Sequence, residues 1–383
     1  MMLGLLARLP LYRSMRAWGL PRMLPANLTV SVTYRCNSRC LTCRVYTKRA
    51  DELSADEFDR VFASLGRAPY WYTMSGGEPF LRPDLPDICE SAFRRGRPGI
   101  INIPTNGFLS SRIPEMVSEI ARRCAGAQVI VNLSLDEIGE AHDRIRGLPG
   151  SFEKAVETYR GLRKLAAPNL TVGVHTVVSV HNARRVPAVY DYVARELRPD
   201  SYITEIAEER VELETVGSAV TPPAGDYAAA VDFLTARLRE QRAAGISRLT
   251  QAFRTRYYEM VKRHLASRGQ EIPCYAGIAS AQIAPDGDVW FCCVRAESVG
   301  NLREAGYDFR RIWFGERARA LRAAVRRGEC ACPLANASYT NMLMHVPTLA
   351  GVAGEVAFGP RGSRRAPSAR GAREGGSGSG GLS

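Results

Sequence analysis

Three cysteines lie close together near the start of the chain, at Cys36, Cys40 and Cys43. Thiolates at this spacing are typical metal ligands, but three of them are one short of the four that close a structural zinc site. A cubane iron–sulfur cluster has four irons, so three cysteines would leave one iron open to a ligand from outside the protein. The loop is therefore predicted to hold a reactive cluster, and zinc with a fourth ligand from elsewhere in the chain is the alternative.

Most of the other cysteines also lie in one region, between residues 274 and 332. The apolar start of the chain is interrupted by arginines and lacks a small-residue cleavage site, so it does not resemble an export signal. Tight local groups in a reducing compartment indicate metal binding rather than disulfides. Cys89 and Cys124 stand alone in helical contexts and are predicted to be buried free thiols.

Strand-like and helix-like segments alternate from Asn27 onward. The strand candidates are residues 28–34, 70–74, 99–104, 128–136, 171–179 and 201–206. Helical patterns separate them at residues 86–95, 111–124, 151–165 and 186–197, and a further helix begins with a capping box formed by Ser54 and Glu57. Six such units argue for an α/β fold with a parallel sheet. Because a complete barrel has eight, we predict an open, partial (β/α)6 barrel.

Barrels of this kind carry their chemistry on loops at the carboxyl ends of the strands. The cysteine loop follows the first strand candidate, SGGEP (75–79) follows the second, and TNG (105–107) follows the third. Ser134 and Asp136 end the fourth. We therefore expect one rim to gather three thiolates, a pair of glycines, an amide and a carboxylate.

This combination resembles the radical S-adenosylmethionine (radical SAM) superfamily, in which C-x3-C-x2-C follows the first strand and G-G-E-P follows the second. The resemblance covers residues 28–206 and includes TNG and the stretch SLDEIGEAHDRIRG. It implies that the three cysteines bind a [4Fe-4S] cluster whose open iron chelates the amino and carboxylate groups of SAM. It also implies that further residues contact this cofactor, namely Gly76, Gly77, Glu78, Pro79, Ser134 and, as a weaker candidate, Asn182.

The glycine pair suits such a contact, because a backbone without Cβ atoms approaches a ligand closely. The resemblance further implies an external electron donor, such as a flavodoxin or ferredoxin. SAM would then be cleaved to a 5′-deoxyadenosyl radical, which abstracts hydrogen from an unactivated C–H bond. No catalytic residue is assigned from the sequence, and Asp143, Arg144 and Arg146 are interpreted as partners in structural salt bridges.

The second cysteine region resembles the auxiliary-cluster extension called SPASM. Cys274, Gly287 and Cys292 have its spacing, and Asp286–Gly287 predicts the turn of a β-hairpin. Only two cysteines follow, as in the shortened version called Twitch, which implies one auxiliary [4Fe-4S] cluster. Its ligands would be Cys274, Cys292, Cys330 and Cys332. Whether Cys292 or Cys293 is the ligand stays open at this point, as does structural zinc in place of iron and sulfur.

The chain divides into five parts by composition and pattern. They are an N-terminal basic amphipathic segment (1–26), the barrel (27–210), a helical bridge (211–270), a small β-hairpin-plus-helix iron–sulfur domain (271–350) and a low-complexity tail expected to be disordered (351–383). The first segment is interpreted as a helix that covers the core, with weak contact to a membrane surface as the alternative. No apolar run reaches the ~20 residues that span a bilayer, so we expect a soluble cytoplasmic protein.

The net charge of +13 comes from 52 Lys and Arg against 39 Asp and Glu, and much of it lies at the two ends of the chain. This distribution disfavours nucleic acid as a partner, and a non-catalytic zinc or iron–sulfur module that binds nucleic acid is a remote alternative. The main prediction is a radical SAM oxidoreductase acting on a small metabolite or glycoside, with the auxiliary cluster accepting an electron. The 27 residues before the first strand candidate are too few for a leader-recognition domain, which favours this substrate class over a peptide.

Overall fold

The computed structural model describes residues 2–240 and 246–358. Within them, one sheet of nine strands has the order β6-β5-β4-β3-β2-β1-β7-β8-β9. The strands are β1 (Asn27–Thr33), β2 (Trp71–Gly76), β3 (Ile100–Thr105), β4 (Gln128–Ser134), β5 (Leu170–Val178), β6 (Ser201–Ile206), β7 (Ser280–Ile283), β8 (Asp288–Trp290) and β9 (Ser298–Asn301). All neighbours from β1 to β6 pair in parallel, which confirms the α/β fold with an open, partial (β/α)6 barrel.

The helices connect these strands and build the C-terminal part. They are α1 (Met2–Trp18), α2 (Ala55–Leu65), α3 (Leu85–Gly96), α4 (Arg112–Arg123), α5 (Glu140–Arg146), α6 (Ser151–Arg163), α7 (Val186–Tyr192), α8 (Ala224–Glu240), α9 (Ile246–Ser267), α10 (Phe309–Trp313), α11 (Glu316–Arg327), α12 (Ala335–Met344) and α13 (Val346–Phe358). A π-helical turn at Val193–Leu197 continues α7. None of these helices is long and apolar enough to cross a membrane.

The two faces of the parallel sheet differ in polarity, because successive residues of a strand point to opposite sides. On β4, Val129, Val131 and Leu133 are buried in the apolar core that the surrounding helices share. The alternate residues are half-buried on the face that lines the inside of the partial barrel. On that face Asn132 Nδ2 donates to Asn102 Oδ1 (2.8 Å) across β3 and β4. The inside of the barrel is therefore partly polar, whereas its outside is apolar.

The predicted capping box at α2 is confirmed. The Glu57 amide donates to Ser54 Oγ (3.2 Å), and the Ser54 amide donates to Glu57 Oε2 (2.8 Å). The apolar stripe of α2 is buried against the sheet and comprises Phe58, Val61, Phe62 and Leu65. Cys89 and Cys124 are also buried and free, as predicted.

The C-terminal domain continues the barrel sheet instead of forming a separate layer. β7 pairs in parallel with β1, and β8 pairs antiparallel with β7 to form the predicted hairpin. Its turn is closed by the Gly287 amide, which donates to the Ala284 carbonyl (3.0 Å), and Gly287 has φ +91°. Because β1 also precedes the three-cysteine loop, one strand connects the two cysteine regions.

The expectation of a disordered tail from residue 351 is wrong for its first residues. Residues 351–358 belong to α13, and Val352 is buried where this helix packs against α9. The low-complexity composition begins only after this helix, so the boundary predicted at residue 351 lies too early in the chain. The remainder, 359–383, lies outside the described residues.

Candidate active site

The three-cysteine loop begins directly after β1. Cys36, Cys40 and Cys43 are half-buried free thiols. The Ser38 amide donates to Cys36 Sγ (3.4 Å), and the Cys43 amide donates to the Cys40 carbonyl (3.2 Å), so the loop is closed locally. Burial raises the pKa of Cys36 to about 11 and the pKa of Cys43 to about 12. The free thiols of Cys36 and Cys43 are therefore protonated near neutral pH, and metal binding must release their protons.

Gly76 and Gly77 lie where the GGEP loop crosses the start of the cysteine loop. The Gly77 amide donates to the Thr33 carbonyl (2.7 Å), and the Glu78 amide donates to the Arg35 carbonyl (2.9 Å). A Cβ on Gly76 would overlap the carbonyl oxygen of Thr33, and a Cβ on Gly77 would overlap that of Arg35. The two glycines therefore allow close approach of the chain's own backbone at Thr33 and Arg35, whereas the sequence analysis expected them to allow close approach of a ligand.

Glu78 is buried, and its carboxylate joins the GGEP loop to the TNG loop. It accepts hydrogen bonds from Thr105 Oγ1 (2.9 Å), from the Asn106 amide (2.7 Å) and from the Phe80 amide (3.2 Å). Burial raises the pKa of Glu78 to about 7, although these hydrogen bonds oppose the shift. Pro79 is buried as well and begins a short turn after this residue. Both residues thus position the rim.

The TNG loop is also attached to the cysteine loop. Asn106 Nδ2 donates to Asn37 Oδ1 (2.7 Å) and to Ser38 Oγ (3.0 Å). Ser134 ends β4 on the half-buried inner face, in register with His175 of β5. The loops after the first three strands and the end of the fourth therefore meet at one rim, where the sequence placed them.

Asn182 is buried beside this rim, and the chain itself occupies its side-chain amide. Its Nδ2 donates to the carbonyls of Asp136 (2.8 Å) and Val177 (2.9 Å), and its Oδ1 accepts from the Ser179 amide (2.7 Å). The residue was expected to contact SAM directly. In this arrangement it positions the loops after β4 and β5, because both of its donors are used.

Arg146 is the functional candidate that the sequence analysis passed over as a structural salt-bridge partner. It does pair with buried Asp136, whose Oδ2 lies 3.0 Å from Arg146 Nε. However, its Nη1 also donates to Cys40 Sγ (3.7 Å), and its buried Nη2 has no hydrogen-bond partner among the described residues. A buried cation thus lies beside the cysteine loop, in contact with Cys40. Only its position in the HDRIRG stretch could have indicated this, because 106 residues separate it from Cys40.

The second cysteine group surrounds one open cavity. Cys274, Cys292, Cys330 and Cys332 all line this cavity, together with apolar side chains such as those of Phe291 and Leu321. Burial raises the pKa of Cys274 to about 11, and the neighbouring thiols of Cys292 and Cys330 add to the shift. The four residues that the SPASM resemblance selected are therefore brought together from three separate segments of the chain.

Cys293 is not part of the cavity wall but is buried behind it. It packs with Leu334 and Ala337, and burial raises its pKa, whereas the nearby charge of Arg210 opposes this shift. Arg210 Nη2 is 3.3 Å from Glu208 Oε1, so a buried ion pair lies behind the cysteine group. This placement favours Cys292 over its neighbour as the residue that faces a bound group.

A short segment after β6, Val211–Leu213, connects the two cysteine regions. The Arg44 amide, next to Cys43, donates to the Leu213 carbonyl (2.9 Å). The Val211 amide donates to the Val294 carbonyl (3.0 Å), and the Glu212 amide donates to the Cys293 carbonyl (3.2 Å). The two cysteine groups therefore lie on either side of three consecutive residues.

Both groups have the donors that iron–sulfur clusters require. Soft thiolates are the preferred protein ligands of these clusters, and the first loop has three and the second cavity four. The unpartnered Nη2 of Arg146 suits an anionic group next to Cys40. Within residues 2–240 and 246–358, no three His, Cys, Asp or Glu side chains converge as a single metal ion would need.

Comparison with known families agrees with this chemistry. Residues 30–193 match the Radical SAM superfamily, and residues 274–333 match SPASM, an iron–sulfur cluster-binding domain. The chain therefore belongs to the radical SAM superfamily of enzymes. More particularly, it is a radical SAM enzyme with a C-terminal SPASM-type domain, and these domains imply a [4Fe-4S] cluster, an auxiliary cluster and SAM as its cofactors.

Three curated proteins illustrate the range of relatives. The chain is 32% identical to Fe-coproporphyrin III synthase of Methanosarcina barkeri, but the match spans 44% of this chain and only 41% of that protein. It is 28% identical to the AdoMet-dependent heme synthase of the same organism over 76% of this chain and 82% of that protein. It is 27% identical to mycofactocin maturase MftC of Mycobacterium tuberculosis over 80% and 75%, respectively.

A solved structure supports the fold. SuiB of Streptococcus suis bound to S-adenosylmethionine superposes with a TM-score of 0.60 at 12% identity, covering 81% of this chain and 70% of that one. At this identity the similarity establishes the architecture alone. It agrees with a partial barrel followed by a C-terminal domain.

Proposed function

We propose that this enzyme abstracts hydrogen from a C–H bond of a small polar metabolite or glycoside and transfers an electron to the auxiliary cluster. The net reaction would be an oxidation or a rearrangement. When bound at the first site, the [4Fe-4S] cluster and SAM supply the 5′-deoxyadenosyl radical. The residues of the chain hold these groups, orient the substrate and exclude water.

Each element of the first site has a distinct role in this proposal. Cys36, Cys40 and Cys43 would hold three irons. Arg146, whose Nη2 is buried without a partner, would pair with the carboxylate of SAM. Ser134 would contact the cofactor from the inner face of the sheet, and the backbone at Gly76–Pro79 would receive its amino group.

One observation carries the electron transfer: Val211–Leu213 is hydrogen-bonded to both cysteine regions. Because Arg44 and Cys293 bond to the same three residues, a substrate beside the first loop lies a short distance from the second cavity. Cys274, Cys292, Cys330 and Cys332 would hold the acceptor there. The proposal of a two-electron oxidation rests on this proximity.

The inner face of the barrel supports a polar substrate. Asn102 and Asn132 lie on it, and where β5 pairs with β6 His175 Nε2 is 3.7 Å from Glu205 Oε1. Such side chains suit a substrate with hydroxyl, amide or amino groups, since a binding pocket matches its few polar groups to those of its ligand. Two relatives are named for the synthesis of heme compounds, which also favours a small molecule.

A peptide or protein substrate is the second candidate. The similarity to mycofactocin maturase spans four-fifths of this chain, which is more than the similarity to either heme-related protein covers. In this case the same two cysteine groups would act on a side chain of the peptide.

Iron content and SAM cleavage test the proposal. Reconstituted without oxygen, the wild-type chain should hold about eight irons and form 5′-deoxyadenosine with dithionite. Replacing Cys36, Cys40 and Cys43 together with Ala should abolish 5′-deoxyadenosine and remove about half of the iron, because the auxiliary ligands remain. Cys124→Ala, which removes a thiol remote from both groups, is the matched control and should keep both properties. Cleavage of SAM by the triple variant would contradict the site assignment.

The substrate class needs a separate measurement. A deuterated cell extract can be divided by ultrafiltration, and each fraction incubated with the enzyme and SAM. Deuterium in 5′-deoxyadenosine, detected by mass spectrometry, reports hydrogen abstraction from a molecule of that fraction. We expect deuterium transfer from the small-molecule fraction. Transfer from the peptide fraction alone would favour a peptide or protein substrate.

A further inference from the structure

The N-terminal helix α1 is apolar on both of its faces. One face, with Leu9, Tyr12 and Met15, is buried against the C-terminal domain, and Tyr12 Oη donates to the Leu24 carbonyl (2.7 Å). The opposite face is exposed although it carries large apolar side chains. Leu6 is 46% exposed and Leu11 is 41% exposed. An ordinary amphipathic surface helix has a polar face toward water, and α1 lacks one.

The exposed apolar surface continues past the end of the helix. Trp18 is 82% exposed and Leu20 is 63% exposed. The other exposed residues between positions 4 and 21 carry no charge and comprise Gly4, Ala7, Pro10, Ala17, Gly19 and Pro21. Single exposed apolar residues are ordinary, but a contiguous apolar patch on a folded protein marks an interaction surface.

The charge around this patch is positive and uncompensated. The first acidic residue of the chain is Asp51. Three arginines of α1 bind backbone carbonyls: Arg8 donates to Ala68 (2.8 Å), Arg13 to Met344 (2.7 Å) and Arg16 to Cys274 (3.1 Å). A carbonyl accepts a hydrogen bond without cancelling the charge, so these guanidinium groups remain cationic neighbours of the apolar face.

A second arginine-rich element adjoins the patch. Arg22 follows the exposed Leu20, and its guanidinium carbon lies 5.7 Å from the centre of the Phe314 ring. Burial is the main reason that the pKa of Arg322 falls to about 10, and the nearby charges of Arg22 and Arg326 add to this shift. The segment from α10 to α11 holds seven arginines, all exposed except the buried Arg322, and one acid, Glu316. Two independent parts of the chain therefore place positive charge at the edge of the apolar surface.

We propose that α1 and the α10–α11 segment form a docking surface for a bilayer that contains anionic phospholipids. Trp18, Leu20 and Leu11 would enter the boundary between headgroups and acyl chains, where Trp and Leu are favoured. The exposed arginines would bind lipid phosphates, because an anionic surface attracts nearby basic residues. Nucleic acid would use the same charges, but it offers no apolar layer for the exposed face of α1.

The surface is held rigidly, which distinguishes it from a loose tail. Arg13 and Arg16 attach α1 to the C-terminal domain through the backbone at Met344 and Cys274. Trp313 Nε1 donates to the Met23 carbonyl (2.8 Å) and anchors the chain just after the exposed residues. Docking would therefore hold the domain that carries the auxiliary cysteines close to the lipid surface.

The test is flotation of the anaerobically reconstituted full chain with vesicles of phosphatidylcholine containing about a quarter phosphatidylglycerol. The wild-type protein should float with these vesicles and not with pure phosphatidylcholine, and 0.5 M NaCl should reduce the floating fraction because salt screens the arginines. Trp18→Ser combined with Leu20→Ser should reduce binding roughly tenfold, since an interfacial Trp and Leu are lost. Both side chains are exposed, so thermal unfolding and iron content should not change.

Val216→Ser is the matched control, because Val216 is 67% exposed and lies on the loop after β6. It should float like the wild type. Three outcomes would overturn the proposal: no binding to anionic vesicles, equal binding to neutral vesicles, or equal loss of binding in the control. If duplex DNA displaced the protein from the vesicles, and bound the Trp18/Leu20 variant as tightly as the wild type, the surface would instead bind nucleic acid. A dimer that the variant dissociates would indicate a second copy of the chain as the occupant.

Discussion

The two cysteine regions are built in opposite ways. The first lies on one short loop after β1 and is held by backbone contacts from the neighbouring rim loops, such as that of Gly77 with Thr33. The second collects Cys274, Cys292 and Cys330 from segments far apart in the sequence, around a cavity. The first site is therefore shaped by the barrel before any cofactor binds, whereas the second depends more on the group it holds. We therefore expect metal binding to contribute more folding free energy at the second site than at the first.

The largest expected effect separates the sites by function. Replacing Cys330 and Cys332 with Ala should leave the first site able to form 5′-deoxyadenosine. Product should fall roughly tenfold or more relative to SAM cleavage, because even the loss of a residue that only supports a metal ligand typically costs about this much, and here the substrate radical loses its acceptor. The measurement is the ratio of product to 5′-deoxyadenosine in single-turnover experiments.

This variant needs a structural control, because loss of the cluster also removes folding free energy. Circular dichroism must show an intact barrel, and iron analysis must show that about half of the iron remains. A folded variant with undiminished product would refute the role as electron acceptor. The C-terminal cysteines would then be structural, and the comparison between the regions would concern stability alone.

The next effect tests whether the barrel shapes the first site. In Gly77→Ala the new Cβ would overlap the carbonyl oxygen of Arg35, so the GGEP and cysteine loops must separate. We expect a loss of about 1–3 kcal/mol in the free energy of unfolding, as for overpacking in a dense region. Urea unfolding of the metal-free chain measures it. Gly225→Ala, where a Cβ meets no atom within 4 Å, should change the stability by no more than about 0.5 kcal/mol.

A Gly77→Ala variant with unchanged stability would mean that the loops shift at no cost. The first region would then be as adaptable as the second. Iron retention at the first site, measured in the same preparation, distinguishes a local shift from loss of the whole rim.

The sequence was sufficient for the barrel because its strands follow simple patterns. The alternation of strand-like and helix-like segments identified all six strands of the barrel, and the rule that loops at carboxyl ends meet at one rim placed GGEP and TNG correctly. The pairing of β7 with β1 was not predictable, because it joins Asn27 to Ser280 without any local signal. Arg146 was missed for the same reason, since only the folded barrel brings it to Cys40. The apolar outer face of α1 was read as ordinary amphipathicity, because its pattern does not reveal which face is covered.

The smallest expected effect concerns a surface contact between α2 of the barrel and the C-terminal domain. Glu57 of α2 accepts hydrogen bonds from Arg303 Nε (2.7 Å) and from Tyr307 Oη (2.7 Å), both in the C-terminal domain. The hydrogen bond from Arg303 is the main reason that the pKa of Glu57 falls to about 2, and the Ser54 amide and Tyr307 contribute. This carboxylate therefore stabilises the fold above the pKa of an unfolded Glu, about 4.3, and the stabilisation is lost as the pH falls toward 2.

Glu57→Gln should lower the free energy of unfolding of the metal-free chain by about 1–2 kcal/mol at pH 7, a discounted value because the pair is partly exposed to water. The difference from the wild type should shrink between pH 4.3 and pH 2, where the wild-type carboxylate takes up its proton. Asp56→Asn, on the exposed side of the same helical turn, is the matched control and should lose less than about 0.5 kcal/mol with no such convergence. If the two variants behaved alike at every pH, the ion pair between Glu57 and Arg303 would contribute nothing to the attachment of the C-terminal domain to the barrel.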